Sequence, residues 1–148
     1  SGDNSVSRFT AVAVDAAGEI VVGGTAAGAI HVWSLRDSSL LDTLHGHEGT
    51  ISSLAFDPAT GTRLASASWD RTVRLWSLFD RDKKMTVLEH PGDVLTAAFR
   101  PDGRELAAAT LSGQILVWGT ADGEPGVLRT IDVRRDICRS ALSEAHVR

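Results

Sequence analysis

Apolar and polar residues alternate in short runs along this chain, and the clearest run follows a turn near its middle. In an extended chain from Thr72 to Trp76, Val73 and Leu75 would lie on one face, while Thr72, Arg74 and Trp76 would lie on the other. Alternation over so few residues, with β-branched and aromatic side chains, favours a strand over a helix. Residues 66–76 are therefore predicted to form two short strands joined by a turn.

The same pattern recurs three times at a nearly constant spacing. Trp33, Trp76 and Trp118 are separated by 43 and 42 residues, a period typical of repeats that each form one four-stranded sheet. Each unit begins with an apolar strand that runs into a turn containing Gly, and in two units Pro, which reverse the chain. The predicted strands are 9–14, 20–25, 29–34 and 40–44 in the first unit; 51–56, 63–68, 72–78 and 86–89 in the second; and 94–99, 105–110, 114–118 and 127–132 in the third.

These repeats predict an all-β fold of about three four-stranded antiparallel sheets. The units cover approximately 6–45, 46–90 and 91–132, and residues 133–148 are expected to form a tail or the start of an insertion. Three units are too few for a closed ring, which takes about four to eight. We therefore expect an incomplete propeller from a longer protein, whose open sheet faces promote self-association.

Four residues of the central unit have the spacing of a buried polar relay: Asp70, His47, Ser66 and Trp76. Asp70 can accept a hydrogen bond from His47, His47 can bond Ser66, and Ser66 can accept from the Trp76 indole. Each of these groups costs about 1–3 kcal/mol when buried without a partner, so linking them fixes the turn, strands and entry loop in one register. This arrangement, with Gly46 before His47, resembles the WD40 repeat family and implies a partial WD40 β-propeller.

The relay is incomplete in the other two units. The third has His90 and Trp118 but carries Ser112 and Ala108 in place of Asp70 and Ser66. The first has Ala27, Gly23 and Ser5 at the positions of Asp70, Ser66 and His47. We expect the flanking units to depend more on packing than on polar contacts.

Composition narrows the class of protein. The 148 residues carry a net charge of −4, which argues against binding dominated by phosphate contacts, and the single cysteine excludes an internal disulfide framework. Because no apolar run approaches the ~18 residues of a membrane span, we expect an intracellular, water-soluble chain without membrane partners.

Several longer strings resemble a narrower group, the periodic tryptophan protein family of the small-subunit processome. They are FTAVAVDAAGEI (9–20), SASWDRTVRLW (66–76), FRPDGRELA (99–107), ATLSGQI (109–115) and TIDVRRDI (130–137). The likeness runs from about residue 8 to residue 139. It implies a larger tandem-propeller protein of a UtpB-like complex that acts in pre-ribosomal RNA processing in the nucleolus. It also implies other propeller subunits as partners, with pre-ribosomal RNA contacted indirectly.

The sequence carries no enzyme, cofactor or metal signature. The glycine-rich stretch 23–28 precedes an alternating strand rather than a helix, so it lacks the helix N-terminus that binds phosphate. His45, His47 and Glu48 have neither helical spacing nor a cysteine partner, and a structural role is expected for them. We expect a non-catalytic interaction scaffold; the alternative is an unrelated WD40 adaptor such as a substrate receptor or signalling module.

Two groups are candidates for contact with partners. Trp69 precedes Asp70 in its turn, and Glu48 and Thr50 are expected beside it; large aromatic residues are frequent binding hot spots. Covering the relay from water is an equally good role for Trp69. Arg134, Arg135 and Arg139, with Arg129, are candidate RNA contacts, although the acidic residues among them and the net charge weigh against this role.

Overall fold

A computed structural model describes residues 8–80, 82, 85–121 and 125–132. Within these residues there are twelve strands and no helix, so none that could cross a membrane. The strands form three antiparallel sheets, which confirms the predicted fold class. The strands are β1 Phe9–Val14, β2 Ile20–Thr25, β3 Ile30–Ser34, β4 Leu40–Leu44, β5 Ile51–Phe56, β6 Arg63–Ser68, β7 Thr72–Ser77, β8 Met85–Glu89, β9 Val94–Phe99, β10 Glu105–Thr110, β11 Gln114–Gly119 and β12 Gly126–Asp132.

Each sheet contains four strands that are consecutive in the chain, and we call the sheets the first (β1–β4), second (β5–β8) and third (β9–β12) blades. The predicted first and second strands of every blade have the bounds seen in the structure. Two predicted third strands were too long at one end. The Ala29 amide is bonded to the Thr25 hydroxyl in a turn, and the Leu78 amide leaves the ladder to bond the Thr62 carbonyl.

Three other predicted strands were one residue too short. Met85 still pairs with Trp76 in the second blade, so β8 begins at Met85. Gly119 pairs with Gly126 in the third blade, which lengthens both β11 and β12 by one residue. Gly119 and Gly126 have no side chain that could continue an apolar alternation, whereas Met85, two residues before Val87, does continue it.

The blades pack face to face, and one apolar core lies in each of the two interfaces. Because side chains alternate in direction along β7, Val73 and Leu75 belong to one core, and Trp76 belongs to the other. The core between the first and second blades contains Val22, Ile30, Val32, Leu44, Ile51, Leu54, Leu64, Trp76 and Leu78. The core between the second and third blades contains Ala65, Ala67, Val73, Leu75, Leu88, Val94, Ala97, Leu106, Ala108, Leu116 and Trp118.

Side-chain hydroxyl groups on the first strand of a blade also bond the next blade. The Thr10 hydroxyl donates to the Ile51 carbonyl oxygen at 2.5 Å. At the equivalent place one blade later, the Ser52 hydroxyl donates to the Val94 carbonyl oxygen at 2.5 Å. The third blade has Leu95 at this position, which has no hydroxyl to donate.

Arg63 and Asp57 form an ion pair at one end of the interface between the second and third blades, and no sequence pattern predicted it. Arg63 lies 2.9 Å from the buried Asp57 carboxylate. Its guanidinium also donates to the carbonyl oxygens of Thr120 at 2.6 Å and Gly103 at 2.8 Å, both in the third blade. It lies 5.4 Å from the centre of the Phe99 ring as well. Arg63 therefore joins the second blade to the third by charge, hydrogen bonds and ring contact.

Replacing Arg63 with methionine should destabilise the chain by about 3 kcal/mol, because Asp57 would stay buried without a cation. Urea unfolding monitored by tryptophan fluorescence measures this loss. The matched control is Arg104→Met, which removes an exposed arginine from the same end of the interface. If the two variants unfold at the same urea concentration, Arg63 does not stabilise the interface.

Candidate functional site

The structure brings the four proposed relay residues together in the second blade. The His47 Nδ1 atom lies 2.9 Å from the Asp70 carboxylate, and its Nε2 atom lies 2.6 Å from the Ser66 hydroxyl. The Trp76 indole N–H donates to that hydroxyl at 2.8 Å. Three separate chain segments therefore meet here: the loop before β5, the strand β6 with its turn, and the strand β7.

Asp70 anchors one end of the relay through both of its carboxylate oxygens. One oxygen accepts from His47 and from the Glu48 amide at 3.0 Å. The other accepts from the Thr72 hydroxyl at 2.6 Å and the Thr72 amide at 3.0 Å. Burial acts to raise the pKa of Asp70, but the bonds from Thr72, His47 and Glu48 outweigh it and lower that pKa to about 2.

His47 is neutral at physiological pH and has one defined tautomer. Burial lowers its pKa below the ordinary value, against the opposing effect of Asp70. A neutral ring has one N–H, and because the Asp70 carboxylate only accepts, that N–H lies on Nδ1. The Nε2 atom then accepts from the Ser66 hydroxyl, which in turn accepts from Trp76. Every donor in the relay points toward Asp70.

The contacts of Asp70, His47 and Ser66 match those of a catalytic Ser-His-Asp triad, and burial shows why they do not act as one. Ser66 is fully buried, and its oxygen already accepts from the Trp76 indole. A substrate carbonyl has no path to this oxygen. The arrangement holds the fold together and offers no nucleophile to solvent.

In the third blade, the tryptophan and the histidine of the relay are joined by a direct hydrogen bond. Ala108 has no hydroxyl, and the Trp118 indole N–H donates straight to His90 Nε2 at 3.0 Å. The His90 Nδ1 atom is bonded to the Leu88 carbonyl at 2.9 Å, and burial lowers the pKa of His90. The expectation that this blade depends mainly on packing therefore missed a buried polar contact.

Aromatic contacts take the place of the relay in the first blade. The Phe9 ring lies 5.8 Å from the Trp33 ring and 6.3 Å from the His31 ring, both edge-on. Gly23, at the position of Ser66, makes room for Phe9, since a Cβ atom there would lie 2.9 Å from its ring. Ser5 lies outside the described residues.

The turn above the relay presents a large apolar side chain to solvent. Trp69 is 52% exposed, and its amide donates to the Thr50 carbonyl at 3.0 Å. Glu48 is exposed next to it in the chain segment bonded to Asp70. The three candidate contact residues thus belong to one surface on the second blade.

Leu111 occupies the place of Trp69 in the third blade, and the sequence analysis missed it. Its side chain is 68% exposed, and its amide donates to the Asp93 carbonyl at 2.8 Å, as Trp69 does to Thr50. The signal was available in the repeat alignment, because Leu111 and Trp69 stand at equivalent turn positions. We call Trp69, Leu111, Glu48, Thr50 and Asp93 the turn surface.

The remaining candidates are the glycine-rich stretch, the residue types that bind metals and the arginines of 133–148. The glycine-rich stretch 23–28 ends β2 and turns directly into β3. No group of three or more His, Cys, Asp or Glu residues in the described part of the chain could hold a metal ion. Arg134, Arg135, Arg139 and the rest of 133–148 lie outside the described residues.

Comparison with known proteins agrees with this geometry. The profile of the family "WD domain, G-beta repeat" matches residues 38–77 and 82–119. The chain is 48% identical over 132 residues to the "Periodic tryptophan protein 2 homolog" of Mus musculus and 44% identical over 138 residues to "Periodic tryptophan protein 2" of Saccharomyces cerevisiae. These matches cover 88% and 93% of the chain, which spans only 14% and 15% of the two relatives.

Solved propellers have the same arrangement of strands. The "Myceliophteria thermophila Cps50 (Swd1) beta-propeller domain" superposes with a TM-score of 0.73 and 25% identity, over 84% of this chain and 38% of that one. A chain of a "Mitotic Checkpoint Complex" superposes with a TM-score of 0.78 over 88% of this chain and 38% of that one. Its 20% identity shows the fold alone.

Replacing Asp70, which anchors the relay, should lower the stability of the chain more than replacing Ser112, its counterpart in the third blade. Asp70→Ala leaves His47 and the Glu48 and Thr72 amides without their acceptor, and we expect it to lower the melting temperature by several degrees, about 1–3 kcal/mol. Ser112→Ala removes only a bond to the Thr110 hydroxyl and should have almost no effect. Equal shifts in differential scanning calorimetry would contradict the special role of Asp70.

Acid should weaken the relay in a defined pH window. Because the folded-state pKa of Asp70 is about 2 against an ordinary value of 3.8, its contribution is present above about pH 4 and is lost as pH falls toward 2. Because the pKa of His47 is also lowered by folding, stability begins to fall earlier, as the pH drops below 6.5, the ordinary pKa of histidine. The measurement is the difference in unfolding free energy between wild type and Asp70→Asn, which should shrink between about pH 5 and pH 2.5. A constant difference across that range would show that Asp70 is not held ionised by folding.

Proposed function

This chain belongs to the WD domain, G-beta repeat family, and we propose that it is a non-catalytic scaffold segment of a small-subunit processome subunit. The observation that carries the proposal is 44–48% identity to periodic tryptophan protein 2 of yeast and mouse across most of the chain. The longer strings that resemble this family imply a role in pre-ribosomal RNA processing. They also imply nucleolar localisation and a UtpB-like complex of propeller subunits.

We propose further that the turn surface contacts another propeller subunit. Trp69 and Leu111 are large apolar side chains exposed at equivalent turns of adjacent blades, and such side chains supply much of the binding energy at protein interfaces. The bonds from the backbone to Thr50 and Asp93 hold both turns in place, so little conformational entropy is lost when a partner binds.

In this proposal pre-ribosomal RNA is reached mainly through partner subunits. The chain carries a net charge of −4, which opposes binding dominated by phosphate contacts. Direct contact would fall to Arg134, Arg135 and Arg139. Salt-sensitive binding of the chain to pre-ribosomal RNA, lost when these three arginines become glutamine, would assign the contact to them.

The decisive experiment is a chimera between this chain and its Saccharomyces cerevisiae relative. The matching segment of the Saccharomyces cerevisiae protein is replaced by this chain, and the chimera is expressed with an affinity tag in cells without the native protein. We expect it to co-purify with the other propeller subunits and pre-ribosomal RNA and to support growth. A stable, well-expressed chimera that binds neither would contradict the processome assignment and favour an unrelated WD40 adaptor.

The turn surface is tested in the same chimera by Trp69→Ala and Leu111→Ala. We expect each variant to reduce co-purification of a propeller subunit at least severalfold, without changing the melting curve of the chain. Val87→Ala, an exposed valine on β8, is the control. If Trp69→Ala lowers the melting temperature and leaves co-purification intact, Trp69 covers the relay and does not bind a partner.

A further inference from the structure

A groove of about 370 Å³ lies between the first and second blades, beside their fourth strands. The first strands of neighbouring blades contact one another, and the fourth strands lie at the opposite edge of each sheet. Both walls of the groove are blades of this chain, so a further blade at either end of the stack would not fill it. We call it the rim groove, and its main lining residues are Asp42, Leu44, Trp76, Phe79, Asp80 and Met85.

The rim groove is apolar on its inner side and carries exposed apolar side chains at its opening. Three of its lining residues belong to the core between the two blades: Leu44, Trp76 and Leu78. At the opening, Phe79 is 60% exposed and Met85 is 36% exposed. The Arg74 guanidinium donates to the Met85 sulphur at 3.6 Å and orients it. A volume at the lower end of the range for ligand pockets, about 300–1,000 Å³, fits side chains of a partner rather than a folded domain.

The backbone places Phe79 at the groove in an unfavourable conformation. Its φ is +66°, in the left-handed region, which is disfavoured for a residue with a Cβ atom. Its equivalents in the other blades, Arg36 and Ala121, are not among the described residues with positive φ. The Leu78 amide fixes the turn by its bond to the Thr62 carbonyl at 2.8 Å. Because a disfavoured conformation presents an apolar ring to water, packing within the chain does not explain it, and binding of a partner does.

The charged groups on the rim groove are carboxylates. Asp42 and Asp80 line it, and no lysine or arginine of the described residues does. One oxygen of each carboxylate accepts a backbone amide, from Thr43 at 2.8 Å and from Asp82 at 3.0 Å respectively. Neither carboxylate forms an ion pair within the part of the chain that the structure describes. Both can therefore accept hydrogen bonds from a cation of a partner.

We propose that the rim groove binds an extended segment of a partner protein in which an arginine stands beside a large apolar residue. The apolar side chain packs on Met85 inside the groove, and the guanidinium pairs with Asp42 or Asp80. Arginine suits this place better than lysine, because its planar group pairs with carboxylates and stacks on an aromatic ring such as that of Phe79. The backbone of the segment can pair with β4 or β8, which are edge strands of their sheets.

The rim groove is separate from the turn surface, and the proposal does not rest on the processome assignment. Phe79 follows the end of β7, whereas Trp69 precedes its start. The equivalent place between the second and third blades has different chemistry: Thr86 stands at the position of Asp42, and Ala121 at that of Phe79. The binding site is therefore specific to the first interface.

Selection of short random peptides displayed on phage tests the chemistry of the occupant. The target is the 148-residue chain, and peptides that also bind Phe79→Ala are removed because they bind elsewhere. This variant lacks the exposed ring and keeps both carboxylates, and near-ultraviolet circular dichroism checks that it is folded. We expect the remaining peptides to carry an arginine beside a leucine, isoleucine or phenylalanine. If no peptide remains, or if the remaining peptides are acidic, the proposal is wrong.

Nuclear magnetic resonance then locates the bound peptide. Met85 is the only methionine of the chain, so a ¹³C label on the methionine methyl group gives one signal, which reports on the rim groove. We expect the selected peptide to shift this signal, and Asp42→Asn and Asp80→Asn each to raise the dissociation constant about two- to fivefold. The matched control is Asp93→Asn, which removes a carboxylate of the turn surface and should leave binding unchanged. An unmoved Met85 signal, or equal weakening by Asp93→Asn, would overturn the proposal.

Discussion

The charge on Asp70 is the constraint on which the central blade depends. A carboxylate in this turn is tolerated because its two oxygens accept four hydrogen bonds, from His47, Glu48 and two groups of Thr72. Through His47 and Ser66 the same charge orients the Trp76 indole. Trp76 in turn belongs to the core between the first and second blades. One ionised group therefore links a surface turn to an interface between sheets.

In each blade, the tryptophan of the third strand is held by a different set of contacts. The second uses the full relay, the third a direct bond between Trp118 and His90, and the first an aromatic contact between Phe9 and Trp33. In each case the tryptophan of the third strand must satisfy or shield one polar indole nitrogen. The residue two positions after the cross-strand partner of the tryptophan differs between the blades: Ser66, Ala108 or Gly23. The fold tolerates all three because burial of the aliphatic residues between the blades is common to them.

Much of this could be predicted from the sequence because the determining signals are local or repeated. The spacing of the tryptophans and the alternation along each strand give the three sheets, and the WD40 resemblance places the relay residues. The interface between the second and third blades could not be predicted in the same way. Arg63 bonds carbonyl groups 40 and 57 residues away, and its equivalents in the repeat are Ile20 and Glu105. No periodic pattern marks such a residue, because the contact is with backbone atoms that any sequence supplies.

Nuclear magnetic resonance of the ring nitrogens of His47 and of the indole N–H groups at neutral pH tests the relay most directly. We expect a neutral His47 with its proton fixed on Nδ1. We also expect the Trp76 indole N–H to exchange with solvent far more slowly than that of the exposed Trp69. A charged His47 ring, a rapid average of its two tautomers, or equally fast exchange of the two indoles would contradict a relay that begins at Asp70.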